Sequence, residues 1–303
     1  MSYTEHRYTS HDGLSLYYRA YGEGPRTVLC LPGLTRNSRD FTELATRLAD
    51  RYRVLSPDLR GRGFSDHDPN PAHYAPGTYV RDVWTLLDGL DIDEVAVVGT
   101  SLGGLMAMLM ADQQPRRLAA AVLNDIGPEL PKAAMARILE YVGRRPPVED
   151  WDAATRATRE AYELAMPGMD DAFWADHARR SYRENPDGKP APDMDPAIGD
   201  AARKAQGPLK VLRFLRRLGL VKRVAGVPID LWDAFAAMTM PTLLVHGALS
   251  DVLTAEIVAK MRARKPDLEV ATVPGRGHAP MLDEPEARAA IEAFLAAHCP
   301  PAA

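Results

Sequence analysis

Short, almost unbroken apolar runs alternate along most of the chain with stretches whose apolar residues recur every three or four positions. Those two patterns predict strands and helices. The runs fall at residues 27–31 (TVLCL), 53–56, 95–98, 118–123, 242–245 and 268–273, and the amphipathic stretches near 40–50, 78–90, 102–113, 254–263 and 284–296. A strand that is apolar on both faces belongs to a parallel sheet covered by helices on both sides, so the predicted class is α/β. Ahead of these, residues 3–8 and 14–21 alternate around Asp12-Gly13 and predict an antiparallel hairpin.

The alternation stops after Asp125 and resumes at Pro241. Between them the chain reads as helical, rich in proline and charge, and holds three of the four tryptophans (Trp151, Trp174 and Trp232). Residues 1–126 and 239–303 are therefore expected to form one core, and 127–238 a helical lid inserted between two of its strands. Within the insertion, 185–196 (NPDGKPAPDMDP) reads as a loop. The segment 209–220 (LKVLRFLRRLGL) places Val211, Leu215 and Leu218 on one helical face, with its basic residues solvated.

Composition narrows the function classes. The 303 residues carry 37 basic and 41 acidic side chains, a net charge of −4, with no basic stretch of the kind a nucleic-acid partner requires. No apolar run approaches the roughly 18 residues of a membrane span, and the polar first ten residues lack a signal-peptide core. A cytoplasmic protein with no membrane partner is expected. The order of residues sets no oligomeric state and leaves a homo-oligomer open. Cys30 and Cys299 stand at opposite ends of the chain, which suits neither a disulfide framework nor a metal cluster; Cys30 reads as a buried strand residue.

The chemistry concentrates at residues 95–104 (VAVVGTSLGG), a buried strand running into an apolar helix through Gly99-Thr100-Ser101-Leu102-Gly103. G-x-S-x-G in a strand-turn-helix context is a nucleophile elbow. The turn brings the residues two before and two after the serine together, so both must be small, and it lifts Ser101 above the sheet. A serine needs a base, and the base needs an orienting carboxylate. His278 lies in the loop 274–280, after the last predicted strand, on the same sheet edge as Ser101; His246, ending the preceding strand, is its nearest rival. For the acid, Asp251 follows strand 242–245 and is preferred, with Asp125, ending strand 118–123, as the alternative. The oxyanion donors are expected to be the backbone N–H groups of Leu102, at the helix start, and Leu34, where Gly33 permits an unusual turn.

With Pro32-Gly33 after a strand, Asp58-Leu59-Arg60-Gly61-Arg62-Gly63-Phe64-Ser65, Gly99 to Gly103, Asp251 and Gly277-His278, the chain resembles the α/β-hydrolase superfamily. The resemblance covers the chain outside the insertion. It implies a mostly parallel sheet with a helical cap after the sixth strand, and the order Ser101, Asp251, His278 for nucleophile, acid and base. Pro32 stands where many relatives have a histidine. The 58–65 stretch reads as a structural turn, not a phosphate loop, because no Gly-Lys-Ser/Thr ending follows. Relatives that open epoxides or displace halide use an aspartate nucleophile, so Ser101 argues against both. The expected function is a cofactor-free, metal-free carboxylic-ester hydrolase acting on a small or medium, largely apolar molecule. The insertion's aromatic residues (Trp151, Tyr162, Phe173, Trp174, Tyr182, Trp232) motivate the apolar preference. Lactone or C–C hydrolysis in aromatic degradation is the alternative, and a non-catalytic ligand-binding protein the third reading.

Overall fold

A computed structural model of the protein describes residues 3–143, 147–204 and 231–301. The expected hairpin is present as β1 (Thr4–Thr9) and β2 (Ser15–Tyr21). Strands β3 (Thr27–Leu31), β4 (Arg53–Pro57), β5 (Val95–Thr100), β6 (Leu118–Asn124), β9 (Thr242–Gly247) and β10 (Glu269–Val273) pair in parallel, while β2 joins them antiparallel to β4. The strand order is β1-β2-β4-β3-β5-β6-β9-β10.

The unbroken apolar runs have the predicted cause. In β3, Val28 and Cys30 face one side, packing in a cluster with Leu44 of α1 (Thr42–Leu48) and Phe294 of α10 (Pro285–His298). Leu29 and Leu31 face the other, with Val83 of α2 (Pro76–Gly89) and Met106 of α3 (Leu102–Gln113). Cys299 is buried on the same side as Cys30, and both thiols are free. Because every core position on these strands is covered by a helix, alternation has no polar face to register. The remaining core helix, α9 (Ala255–Arg264), connects β9 to β10.

Strands β6 and β9 are neighbours, so the chain between Asp125 and Pro241 leaves the sheet and rejoins it one strand over. It contains α4 (Lys132–Tyr141), α5 (Trp151–Tyr162), α6 (Asp171–Ser181), α7 (Ala197–Lys204) and α8 (Leu231–Ala236). Asp150 and Asp170 cap α5 and α6 by accepting from the N–H of Ala153 and Phe173. Part of the expected 185–196 loop is instead a two-stranded ribbon, β7 (Tyr182–Glu184) against β8 (Pro190–Pro192). Prolines are tolerated there because each strand is an edge. The basic segment 209–220 lies outside the described residues.

This insertion fastens to the core at several places, among them the 58–65 turn, where the Gly63 N–H donates to the Asp193 carbonyl at 3.1 Å and the Asp195 N–H to the Gly61 carbonyl at 2.7 Å, and two further loops. Beyond β3, Asn37 Nδ2 donates to the Arg180 carbonyl at 2.9 Å, and Arg36 and Arg39 reach Ser181 and Asp193. Beyond β10, the Gly277 N–H donates to the Ala165 carbonyl at 2.6 Å. From β3 the chain moves outward to β4 and then returns to β5 on the other side of β3. Such a reversal opens a crevice between the loops at the carboxyl ends of those two strands, where ligands bind in open α/β sheets.

Candidate active site

The crevice is floored by the turn after β5. Ser101 has φ 51° and ψ −110°, a conformation strained for any residue but glycine, and its N–H is held by the Asn124 carbonyl at 3.0 Å. The glycines on either side are required sterically. A Cβ at Gly99 would lie 2.4 Å from the Gly103 carbonyl carbon, and one at Gly103 would lie 2.0 Å from the Leu31 oxygen. The expected crowding between positions 99 and 103 is therefore real, and strand β3 adds to it.

His278 Nε2 lies 2.9 Å from Ser101 Oγ. On the ring's other side, Nδ1 lies 2.9 Å from Asp125 Oδ2. A carboxylate only accepts, so Nδ1 carries the hydrogen, and in the neutral ring Nε2 is left to accept from the serine hydroxyl. The three side chains thus form one hydrogen-bonded chain, with Asp125 fully buried and His278 nearly so.

The preferred acid of the sequence reading, Asp251, does not take part. Its side chain is 53% exposed and pairs with Arg137 of α4, at 2.7 and 3.0 Å. The reason lies in strand order. β6 is β5's neighbour and β9 is one strand further away, so a carboxylate at the end of β6 stands between the serine and the histidine loop. The loop 247–251 contributes donors in place of an acid: the Gly247 N–H reaches Asp125 Oδ1 at 2.8 Å and the Ser250 hydroxyl reaches Oδ2 at 2.5 Å. Ser250 is fixed in turn by the N–H of Leu253 at 3.0 Å. His246, the rival histidine, points away and donates from Nε2 to the Leu253 carbonyl.

Asn124, which the sequence reading passed over as the partner of Asp125, ties the site together. Its Nδ2 donates to Thr100 Oγ1 at 3.1 Å and to the Pro280 carbonyl at 2.8 Å, joining the end of β5 to the histidine loop. An asparagine ending a buried strand was the available signal, since a buried amide needs partners.

Leu102 begins α3, so its N–H is one of the first-turn donors without an intrahelical acceptor. Leu34 follows Gly33 in the loop after β3. Gly33, expected to permit an unusual turn, has no positive φ. A Cβ there would lie 3.9 Å from that of Ser101, an ordinary contact distance, so the site is not closed to a side chain on steric grounds. Nearby, Arg36 is buried and ion-paired with Asp40 through Nε at 2.7 Å. Burial raises the Asp40 carboxyl, but Arg36 outweighs it and holds the group below its usual range. A cavity of about 200 Å³ lies between this loop and the insertion, with Thr35, Arg36 and Tyr162 on one wall and Pro192 and Met194 among its apolar residues.

The 58–65 turn is built into the core, as expected. Asp58 accepts from the N–H groups of Ser38 at 2.7 Å and Phe64 at 2.8 Å. Burial pushes its carboxyl up against those donors. Gly63, at φ +55°, leaves no room for a Cβ, which would fall 2.0 Å from Asp58 Oδ2.

A doubly covered parallel sheet, a serine on a strained strand-to-helix turn and a histidine from the last sheet loop define a class before any comparison is made. The chain belongs to the α/β hydrolase fold family, whose sequence profile matches residues 26–285. It is 32% identical over 276 residues to the 3-hydroxybutyrate-oligomer hydrolase of Cupriavidus necator, covering 88% of each chain. It is 30% identical over 292 residues to the pimeloyl-[acyl-carrier protein] methyl ester esterase of Xanthomonas campestris pv. campestris, covering 91% of this chain and 97% of that one. In three dimensions it resembles an α/β hydrolase from Novosphingobium aromaticivorans, with a TM-score of 0.85 and 43% identity over 97% of this chain and 98% of the other. The chain is a hydrolase by class. Among the described residues, no helix is long and apolar enough to cross a membrane.

Proposed function

We propose that the protein hydrolyses carboxylic esters of small or medium, largely apolar molecules through an acyl-enzyme on Ser101. The observation that carries this reading is the hydrogen-bonded chain from Ser101 Oγ through His278 to Asp125. Two of the relatives support an ester bond as the target: one is named a methyl ester esterase, and the oligomer in the other's name is joined by esters.

In this mechanism Ser101 Oγ bonds to the ester carbonyl carbon as its proton passes to His278 Nε2. The carbonyl π electrons move onto oxygen, which the Leu34 and Leu102 N–H groups receive. Asp125 stabilises the imidazolium through Nδ1–H. The proton then goes to the leaving alkoxide as the C–O bond breaks, and a water deprotonated by His278 repeats the sequence to release the acid. No metal or organic cofactor enters any step. Residues 127–238 act as the cap over this site.

The test is hydrolysis of p-nitrophenyl esters from acetate to octanoate by wild type and Ser101→Ala. Turnover should vanish in the variant, and the preferred chain length should size the pocket. Undiminished turnover by Ser101→Ala would refute the serine route. A folded wild type inert on every ester would shift the reading to lactone or C–C substrates.

A further inference from the structure

We infer that Arg62 is a positioning residue for the oxyanion loop: its buried guanidinium pins the Leu34 carbonyl and, with the loop's own bond to the Gly33 carbonyl, keeps Leu34 in the conformation that aims its N–H. The inference rests on the serine-hydrolase reading above.

Arg62 is fully buried. Its Nε–H donates to the Leu34 carbonyl at 3.0 Å, its Nη1–H donates to the Arg60 carbonyl at 2.8 Å, and the guanidinium lies 4.7 Å over the Tyr79 ring. Nη2 is buried without an acceptor among the described residues, and no carboxylate among them forms an ion pair with this side chain. Two residues earlier, Arg60 is treated in the opposite way, being equally buried but surrounded by Asp12, Asp68 and Asp82. Removing a charge from water without a counter-ion is expensive. A residue kept under those conditions calls for a reason.

Turn shape accounts for the bond to the Arg60 carbonyl, which lies within the turn, and not for the bond to Leu34. The turn is made by Gly61 and Gly63 at positive φ, by the two N–H groups on Asp58 and by the Ser65 hydroxyl on the Asp58 carbonyl. Beyond its Nη1 bond within that turn, the Arg62 side chain reaches through Nε to the loop after β3. There the Arg36 N–H closes onto the Gly33 carbonyl at 3.1 Å and holds the peptide that carries the Leu34 N–H, while Arg62 holds the next peptide through the Leu34 carbonyl, so Leu34 is restrained on both sides. An oxyanion donor is effective in proportion to how firmly it is aimed before charge develops. A positive charge in a dry interior next to that donor also has the sign the developing oxyanion needs.

The test compares wild type, Arg62→Lys and Arg62→Met on a p-nitrophenyl ester, with folding followed by circular dichroism and Ser101 phosphonylation by a fluorophosphonate measured alongside. Lysine keeps the charge without the planar fork, and methionine keeps only a stem. The expected order of kcat is wild type, then Lys, then Met. The Met variant should be down about 10- to 100-fold, somewhat less than the loss of a whole oxyanion donor, with KM within about threefold. Phosphonylation should slow in parallel, since that adduct also places an oxygen in the hole. Wild-type kcat in a folded Lys or Met variant would overturn the inference, as would a loss confined to KM. If the Met variant does not fold, the Lys variant decides alone. Ser101→Ala separates the two levels: turnover surviving in it refutes the serine reading itself, whereas its loss beside unchanged Arg62 variants refutes only the positioning role.

Discussion

The sequence favoured Asp251 over Asp125 as the acid, and the surroundings of the two carboxylates reverse that preference. Asp125 is buried and accepts from His278, Ser250 and Gly247; Asp251 is out in solvent on Arg137. Asp125→Asn should therefore lower kcat by about 10³- to 10⁴-fold, because the amide favours the wrong imidazole tautomer, while Asp251→Asn should stay within about twofold. Steady-state kinetics on one ester would decide. A large loss in Asp251→Asn with little in Asp125→Asn would reverse the assignment. Ser101 and both glycines of the elbow were legible because a tight turn excludes a Cβ wherever it occurs, and His278 because its loop follows the last strand on the same sheet edge. The choice of acid was not legible, because it depends on which strand neighbours β5, and that is a property of sheet order. Spacing along the chain could not distinguish the two.

Between elements, the point of interest is where the insertion meets the histidine loop. Gly277 donates to the Ala165 carbonyl, and a Cβ at Gly277 would approach the Ala165 Cα to 2.9 Å. Gly277→Ala should push the turn after α5 away from the core and perturb kcat and KM together, with faster proteolysis within 127–238. Gly275→Ala is the control. Its positive φ of 65° costs about 1 kcal/mol, but a Cβ there meets nothing within 4 Å, so kinetics should hardly change. Equal kinetics in the two variants would show that this contact does not matter. The core elements were legible from their periods, since two covered faces give unbroken apolar strands. The β7–β8 ribbon was not. Asn185, Asp187 and Gly188 announce a turn, but two prolines disguise the strand that follows it.

At the scale of the molecule, the buried cluster around Arg60 joins the hairpin through Asp12, the loop after β4 through Asp68 and α2 through Asp82. Arg60→Met leaves three carboxylates together and should destabilise the fold by about 3–5 kcal/mol, read from urea midpoints. The pH dependence has a definite sign. Hydrogen bonding to Arg60 holds the Asp12 carboxyl well below its usual range. A depressed acid stabilises the fold above its unfolded value and loses that contribution as the pH falls toward the folded one. The stability gap between wild type and Asp12→Asn should therefore be full above about pH 4 and close below it. A gap that widened on acidification would contradict the pairing. None of this cluster is visible along the sequence, where the four residues are spread over 70 positions and only the fold assembles them.

The junction at Asp125 also bears on modularity. The chain passes from the buried carboxylate directly into Ile126 and Gly127, and a Cβ at Gly127 would crowd Met261, Leu253 and Ile257. The insertion is thus rooted at the end of the strand that carries Asp125. A graft that exchanged it for a relative's would need its upstream splice after Gly127, so that Asn124 and Asp125 kept their hydrogen bonds. The replacement would also have to present a backbone carbonyl to Gly277, as Ala165 does here. If it also kept partners for Asn37, Arg39 and the 58–65 turn, the insertion would become an exchangeable cassette, and the core groups would not need rebuilding.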